Sequence, residues 1–426
     1  MTTRRVLLVT DSFPPGSGGS GWSTFELARH LHSRGHAVSV VHVKPGDVSG
    51  ILETSYEGIP VTQFQRRVPN LPLLRNVLKN ERLWVELSRY LVERLKHAPA
   101  DIIHAQHVMT TVAAVRAGQR AGVPVVATVR DYWPVCYWSD LIVSPSAPAL
   151  CPACTVEGMR ACIPPRAGAV GRAGWSLIPY MRRNLATKQR MLAQADAVVA
   201  VSTTIARDLL ERAPELSGAR VEIIPNPVNM SGLEPRDWQE TTGNDAAAHV
   251  LYAGKLAINK GVQFLLPALD EAKISWPLVV IGDGPMRAEL EAEGRRRGRE
   301  VKWLGWRDRS EVLAAMRAAT VLAFPSYGPE SLSRVLIEAS ALGVPIAAMD
   351  TGGTGDIIRH EETGLLAATP EAFARDLSRL ASDPSLRARL GRNAAAHARQ
   401  HFEASRVGAR IEALYASVLA ARAGRR

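Results

Sequence analysis

The sequence contains no apolar run that approaches the ~20 residues a membrane-spanning helix requires. Its opening, "MTTRRVLLVTDSFPPG", has a short apolar run that ends at Asp11, so it reads as a first strand and not as a leader or anchor. Export and transmembrane anchoring are therefore not expected, and a cytoplasmic location is. Zinc-finger spacing, a recognition-helix signature and an aromatic-and-basic stripe are all missing, so the net charge of +11 does not indicate a nucleic-acid partner. A diffuse basic surface suits anionic lipids and phosphorylated substrates equally well. No solenoid-type repeat is present. Cysteine is scarce: all four fall between Cys136 and Cys162. Acidic residues are absent from Met159 to Ala195.

What is present is the composition of a folded chain, 46% hydrophobic and 22% charged over 426 residues. That length exceeds one ordinary core and favours two domains. Short β-branched runs alternate with helical patterns: "RVLLVT" (5–10), "AVSVVHV" (37–43), "DIIHAQH" (101–107), "VPVVATVR" (123–130), "ADAVVAVS" (195–202) and "VEIIPN" (221–226). A second series follows: "HVLYAGK" (249–255), "PLVVIGDG" (277–284), "VKWLG" (301–305), "ATVLAFPS" (319–326), "VPIAAMD" (344–350) and "TGLLAAT" (363–369). Such alternation implies parallel sheets wrapped by helices, so the fold class is α/β with two doubly wound, Rossmann-like domains. The polar stretch 230–248 reads as the linker, which gives domains at 1–229 and 230–404. Residues 405–426 form an amphipathic helix with a basic tail, and its apolar face needs a partner surface, the first domain being one option.

The segment "FPSYGPESLSRVLIEASALGVP" (324–345) carries Glu330 and Glu338, separated by seven residues. A strand ends at Ser326, a Tyr-Gly-Pro loop delivers Glu330 to the carboxyl end of the sheet, and the following helix carries Glu338. Eight helical positions span ~12 Å, which exceeds the ~5–9.5 Å between the paired acids of a glycosidase. It matches the length of a nucleotide-sugar. The backbone N–H groups of Ser331, Leu332 and Ser333 at the helix start suit a diphosphate. Lys255 and Lys260 in "LYAGKLAINKG" can converge on the same diphosphate and stabilise a leaving group. "IGDGP" places Gly282 at another strand end, where backbone can approach a ligand closely. Trp306 and Arg307 in "LGWRD" sit near a base pocket on this reading, with a core tryptophan as the alternative. A solvated Glu330, a Glu338 paired on a helix surface and two solvated surface lysines are the plain alternative for the set.

The combination "GK(x4)KG", "IGDGP", "PSYGPESLSRVLIEA(x2)LGVPIAA" and "TGGTGDII" resembles the carboxy-terminal domain of the family 4 retaining glycosyltransferases of GT-B fold (glycosyl transferases group 1). "DSFPPGSGGSGWSTFELARHLHSRGHAVSVVHV" resembles that family's glycine-rich first loop and helix. The resemblance implies two Rossmann-like domains facing a central cleft, acceptor on the first and donor on the second. It assigns Glu330 to the donor sugar, Glu338 to the ribose, Lys255 and Lys260 to the diphosphate, Ser331–Ser333 to phosphate, and Gly18 and Gly19 to close approach by donor and acceptor. It also implies transfer from a UDP- or GDP-sugar to a hydroxyl of a glycan, lipid-linked or small-molecule acceptor in polysaccharide or glycoconjugate biosynthesis. The anomeric configuration would be retained, with no cofactor required for catalysis. Two departures stand out: Ser333 where many members carry Gly, and Lys255 where many carry Arg, which loses a bidentate fork.

A third departure is Arg130 in "VPVVATVRDYWPVCYW", standing where the family's "T-x-H-D" pattern has histidine. Arginine cannot act as a base at neutral pH. It either binds phosphate, as a candidate catalytic-site residue, or pairs with a structural carboxylate. Asp131, a candidate catalytic residue, His104 and His107 are the nearest substitutes for acid/base or hydroxyl-positioning roles, each with a structural role as the alternative. This departure keeps a nucleotide-sugar-binding scaffold open as a rival reading, beside a sugar-nucleotide epimerase.

The cysteines Cys136, Cys151, Cys154 and Cys162, spaced C-x14-C-x2-C-x7-C, suggest a structural zinc or iron–sulfur site, with four reduced thiols as the rival. From Met159 to Ala195 there are seven basic residues: Arg160, Arg166, Arg172, Arg182, Arg183, Lys188 and Arg190. Trp175, Leu177, Ile178, Tyr180 and Met181 interleave with them as on a membrane-surface helix, and residues 66–84 have a similar blend. A peripheral contact with an anionic inner membrane face is the expectation, with solvated helix faces as the alternative.

Overall fold

The computed structural model describes residues 3–69, 77–144, 147–236 and 248–424. Parts of the linker (237–247) and of the 66–84 stretch (70–76) lie outside them. The chain divides into two compact units. The first comprises Met1–Ser139, Ser176–Asn229 and Ala404–Arg426; the second comprises Asp140–Trp175 and Met230–Glu403.

In the first unit the strands are β1 (Arg5–Thr10), β2 (Ala37–Gly46), β3 (Gly50–Tyr56), β4 (Ile59–Arg67), β5 (Ile102–Ala105) and β6 (Val125–Val129). A small antiparallel pair, β7 (Ile142–Ser144) and β8 (Ala147–Leu150), belongs to the second unit. β9 (Ala197–Ala200) and β10 (Val221–Ile223) return to the first. The first sheet runs β10-β9-β6-β5-β1-β2-β4-β3 and is parallel except for β3 on β4. β5, β6 and β9 are buried along their whole length, as expected where helices cover both faces of a parallel sheet. The β3–β4 hairpin is absent from the sequence reading. β3 is exposed at nearly every position, so it has no apolar alternation to detect. The available signal was the turn: Glu57 and Gly58 both have positive φ, as a two-residue hairpin loop requires.

The second sheet comprises β11 (Val250–Ala253), β12 (Leu278–Ile281), β13 (Val301–Gly305), β14 (Val321–Phe324), β15 (Ile346–Met349) and β16 (Leu365–Ala367). Its order is β13-β12-β11-β14-β15-β16, all parallel. Each sheet therefore has one point where strand order reverses. It lies between β1 and β5 in the first unit and between β11 and β14 in the second, and crevices at the carboxyl ends of such strands bind ligands.

The helix Ala404–Ala423 completes the first unit. Val407, Ile411, Leu414, Tyr415 and Val418 share one core with Val6, Leu8, Phe25, Leu31 and Ile102. Tyr415 is fully buried, and its hydroxyl lies 2.6 Å from His104 Nδ1. Glu412 lies 3.0 Å from His36 Nε2, and its carbonyl accepts from Arg4 Nη1. The second unit packs Val250, Tyr252, Leu265, Leu269 and Val280 against Phe373, Leu377 and Leu380 of the helix Pro370–Ser382.

Candidate functional site

Two loops flank the reversal point of the second sheet, and their side chains meet. After β11, the backbone turns at Gly261 with φ of 66°; a Cβ there would lie 1.8 Å from the Pro325 carbonyl oxygen. This close approach, open only to glycine, sets Lys260 beside the loop that follows β14. Lys260 Nζ donates to Glu330 Oε1, and Ser326 Oγ donates to the same oxygen at 2.6 Å. Glu330 is only 8% exposed. Its backbone is fixed as well: Gly353 N donates to the Glu330 carbonyl at 2.7 Å, and Thr351 Oγ1 donates to the carbonyls of Tyr327 and Gly328. Burial and then the nearby Glu330 charge push the Tyr252 phenol upward, while its hydroxyl donates to the Lys255 carbonyl at 2.9 Å.

Ser333 caps the helix Arg334–Ala341, its hydroxyl accepting from Leu336 N. Ser331, Leu332 and Ser333 thus form the entry to the helix, whose first N–H groups lack partners within it. Glu338, one turn in, is buried and clamped by two guanidinium groups. Arg309 Nε and Arg334 Nε both donate to its Oε1 at 2.9 Å. Arg334 is readable as an i,i+4 partner. Arg309 comes from the start of the helix Arg309–Ala318, and no local pattern linked it to Glu338.

Of the remaining second-unit candidates, Lys255 is exposed just past β11. Gly282 follows β12 and donates its N–H to the Gly305 carbonyl at 2.8 Å. Arg307 is exposed and lies 3.6 Å from Glu311. Trp306 is 77% exposed, which rules out the core alternative for it.

The first unit carries a second polar constellation at the ends of β1, β5 and β6. His107 lies between two carboxylates, with Nδ1 2.8 Å from Asp11 Oδ2 and Nε2 3.1 Å from Asp131 Oδ2. Burial acts to lower its pKa, but Asp11 and Asp131 outweigh burial and raise it to about 10. Asp131, oriented by the Trp133 N–H at 3.0 Å, is held below the usual carboxylate range: His107 and hydrogen bonds overcome a burial effect of opposite sign. Arg130 is 7% exposed and donates to Asn226 Oδ1 (2.8 Å), Gln106 O (2.6 Å) and Gln106 Oε1 (2.6 Å). None of these acceptors is a carboxylate. Burial lowers the Arg130 pKa to about 10 against the opposing pull of Asp11. His104 is core, hydrogen-bonded to Tyr415 and Thr128. Gly18 caps the helix Gly19–Ser33, with no atom within 4 Å of where its Cβ would lie.

The cysteine reading requires correction. Among the described residues no group of three or more His, Cys, Asp or Glu side chains is placed to hold a metal. Cys151 Sγ points to the Ala153 carbonyl (3.2 Å) and Cys162 Sγ to the Met159 carbonyl (3.7 Å). The organising group of this loop is Arg166, which donates to Asp140 Oδ2, Ile142 O, Val143 O and Cys162 O at 2.7–3.1 Å. Sequence spacing gave no access to that role, because three of the four acceptors are backbone carbonyls.

Arg166 and Lys188 are thereby removed from the basic face, Lys188 being 5% exposed with its ammonium 5.6 Å from the Tyr137 ring centroid. Ile178 and Met181 are buried, so neither is free to face a membrane. Arg182 and Arg183 remain exposed, and Trp175 lies between Arg160 and Arg172. No helix among the described residues is long and apolar enough to cross a membrane.

Comparison with known proteins adds to this geometry. Residues 17–231 match the family model described as Glycosyltransferase Family 4, and residues 236–397 match Glycosyl transferases group 1. The D-rhamnosyltransferase WbpZ of Pseudomonas aeruginosa is 34% identical over 39% of this chain and 44% of its own length. A D-inositol 3-phosphate glycosyltransferase of Salinispora tropica is 30% identical over 52% of this chain and 51% of its own. The matches span about half the length of these curated relatives. Among solved structures, sucrose-phosphate synthase from Thermosynechococcus elongatus aligns with a TM-score of 0.70, at 20% identity over 98% of this chain and 100% of that one. Anabaena Alr3699/HepE in complex with UDP-glucose aligns with a TM-score of 0.65, at 21% identity over 97% and 100%. At these identities the structures establish the shared two-sheet GT-B fold.

Proposed function

The chain belongs to glycosyltransferase family 4, whose enzymes use nucleotide-sugar donors, and from that premise we propose that it transfers a sugar from a UDP- or GDP-sugar to an acceptor hydroxyl with retention of configuration. The acceptor is a glycan, a lipid-linked sugar or a small molecule, in polysaccharide or glycoconjugate biosynthesis. The observation that carries the reading is the contact of Lys260 with Glu330 at the reversal point of the second sheet. A lysine paired to a carboxylate can exchange that carboxylate for a donor diphosphate. Glu330, released from Lys260 but still held by Ser326, then accepts hydrogen bonds from the hydroxyls of the donor sugar. Glu338, fixed by Arg309 and Arg334, marks the ribose end. Lys255 and the N–H groups at Ser331–Ser333 complete the diphosphate site.

In the reaction the bond from the anomeric carbon to the leaving phosphate oxygen breaks and a bond to the acceptor oxygen forms on the same face. The acceptor proton passes to the leaving phosphate. Lys260 and the helix start stabilise the charge that develops there. Arg130, committed to Gln106 and Asn226, takes no part in the proton transfer. The UDP-glucose complex of the Anabaena relative supports a UDP-sugar as the first donor to examine. The exposed Arg182 and Arg183, with Trp175 between two arginines, support a peripheral contact with anionic lipid as the route to a lipid-linked acceptor. Flotation with anionic vesicles tests that part separately.

Calorimetric titration with UDP-, GDP-, ADP- and dTDP-sugars, using wild type and Lys260→Ala, tests the assignment. One donor should bind wild type and lose ~10-fold or more in the variant, as for a charged hydrogen bond to phosphate. Failure of all four to bind would overturn the reading. Donor turnover without any acceptor would instead indicate an epimerase.

A further inference from the structure

β13 is the outer strand of the second sheet, and the helix Arg287–Arg296 lies beside it. Gly294 sets the approach: a Cβ there would lie 3.4 Å from Val301 Cγ2. Val301 and Trp303 alternate with Lys302, so both face that helix. Arg287, Glu291 and Arg295 recur every four residues along the helix and share one face. Among the described residues no strand continues the sheet beyond β13, and the space between strand and helix is a cavity of about 450 Å³. Such a volume lies within the ~300–1,000 Å³ of small-molecule sites. Its wall includes Arg299 and Val301 at the amino end of β13, and β12 and β11 separate it from the reversal point that carries Lys260 and Glu330.

The charges around this cavity differ in freedom. Arg299 is held: Nη1 donates to the Ile274 carbonyl, and Nη2 lies 3.1 Å from Asp270, which also takes Arg297 at 2.6 Å. Arg287 Nε donates to Glu291 Oε1 at 2.8 Å, and its Nη1 lies 3.6 Å from Asp283. Arg295 is exposed and has no partner among the described residues. The cavity therefore offers one uncommitted guanidinium, two braced ones, one carboxylate, and an indole half-buried against the core. A bare phosphate would answer Arg295 but not Trp303, and Glu291 would repel it. A neutral sugar would leave Arg295 unanswered. A polyanionic chain needs a row of free cations, and of those lining the cavity only Arg295 is uncommitted.

We propose that this cavity is a binding site for a nucleoside monophosphate, separate from the site at Lys260 and Glu330. The base stacks on Trp303, a contact that every base can make because each has a π-face. Arg287 uses Oε1 of Glu291, which leaves Oε2 to accept from the ribose hydroxyls. Arg295 closes on the phosphate with Arg299 beside it, since a guanidinium fork matches phosphate oxygens. A ring, a pair of hydroxyls and an anion in one small molecule answer the three kinds of side chain together. The site goes beyond sugar transfer and does not rest on it, because none of its residues belongs to the donor set.

The test is calorimetric titration of the full chain with AMP, UMP, adenosine and inorganic phosphate. Wild type is compared with Lys260→Ala, Arg295→Ala, Trp303→Leu and Trp303→Phe. At least one of the two nucleotides should bind wild type and Lys260→Ala alike, and weaken ~10-fold in Arg295→Ala and in Trp303→Leu. Trp303→Phe keeps a ring and should keep most of the affinity, which separates loss of stacking from loss of packing. Adenosine and phosphate should each bind ~10-fold or more weakly than the nucleotide. The site is refuted if neither nucleotide binds, if Lys260→Ala abolishes binding, if Arg295→Ala leaves it unchanged, or if phosphate alone binds as well as the nucleotide. Failure of the UDP- and GDP-sugars to bind would strike the donor assignment and leave this result to stand by itself.

Discussion

Replacement of His107 by glutamine removes the one positive charge between Asp11 and Asp131. The imidazole lies 2.8 and 3.1 Å from the two carboxylates, and its side chain is 21% exposed. Each pair is worth ~4 kcal/mol gross at ~4 Å between charge centres and an effective dielectric of ~20. Desolvation of the ions offsets much of that, and removal of one partner from a buried pair costs ~3–5 kcal/mol. A net loss of ~3 kcal/mol near neutrality is expected for His107→Gln. The sign with pH follows from linkage. The folded pKa, about 10, lies above the unfolded value of ~6.5, so the contribution is complete below pH ~6.5 and is lost as pH rises through about 10. At the acid end Asp131, depressed in the folded state, loses its contribution as pH falls through that lowered value. Urea unfolding of both proteins should show the widest gap near neutrality and closure above pH ~10. In wild type the His107 Cε1 proton resonance should stay flat from pH ~5 to ~9. An inflection near pH ~6.5, or a stability gap indifferent to pH, would refute the reasoning.

Other substitutions address other parts of the fold. Gly352 has φ of 54° and a Cβ there would fall 2.0 Å from the Glu330 carbonyl oxygen, so Gly352→Ala should displace Glu330 and cut kcat ~10²-fold with donor affinity less affected. Steady-state kinetics with the donor found by calorimetry would show this. Glu338→Ala leaves Arg309 and Arg334 without their carboxylate and should destabilise the second unit by ~3–5 kcal/mol. Glu338→Gln should retain more stability yet still weaken nucleotide binding; equal effects in melting and calorimetry would count against the ribose role. Tyr415→Phe deletes the hydroxyl 2.6 Å from buried His104 and should cost ~1–3 kcal/mol, read by thermal unfolding.

The strand series was legible because apolar runs buried on both faces leave a plain trace, and "RVLLVT" coincides with β1. The placement of Lys260 and Glu330 at strand ends facing one crevice was legible, whereas their direct contact was not. The charged brackets were not legible. Arg309, Arg130 and Arg166 bind partners distant in sequence, and Arg166 mostly binds carbonyls, which every residue has. Cysteine spacing misled for a related reason: it reports separation along the chain and not the direction in which a thiol points. Trp306 was ambiguous because composition does not distinguish an exposed indole from a core one. The grouping of 140–175 with the second unit left no trace in periodicity.

The helix Ala404–Ala423 gives the first unit a late start in life. Its core lacks Val407, Ile411, Leu414, Tyr415 and Val418 until the ribosome has passed every residue of the second unit. At ~5–20 residues per second, the ~200 residues that intervene take ~10–40 s to synthesise. For that interval the first sheet waits with an uncovered apolar face, while the second unit, contained wholly upstream of Ala404, can already close. The part of the protein made first is thus the part that finishes last, and demand for chaperones during synthesis should fall on β1, β2 and β5.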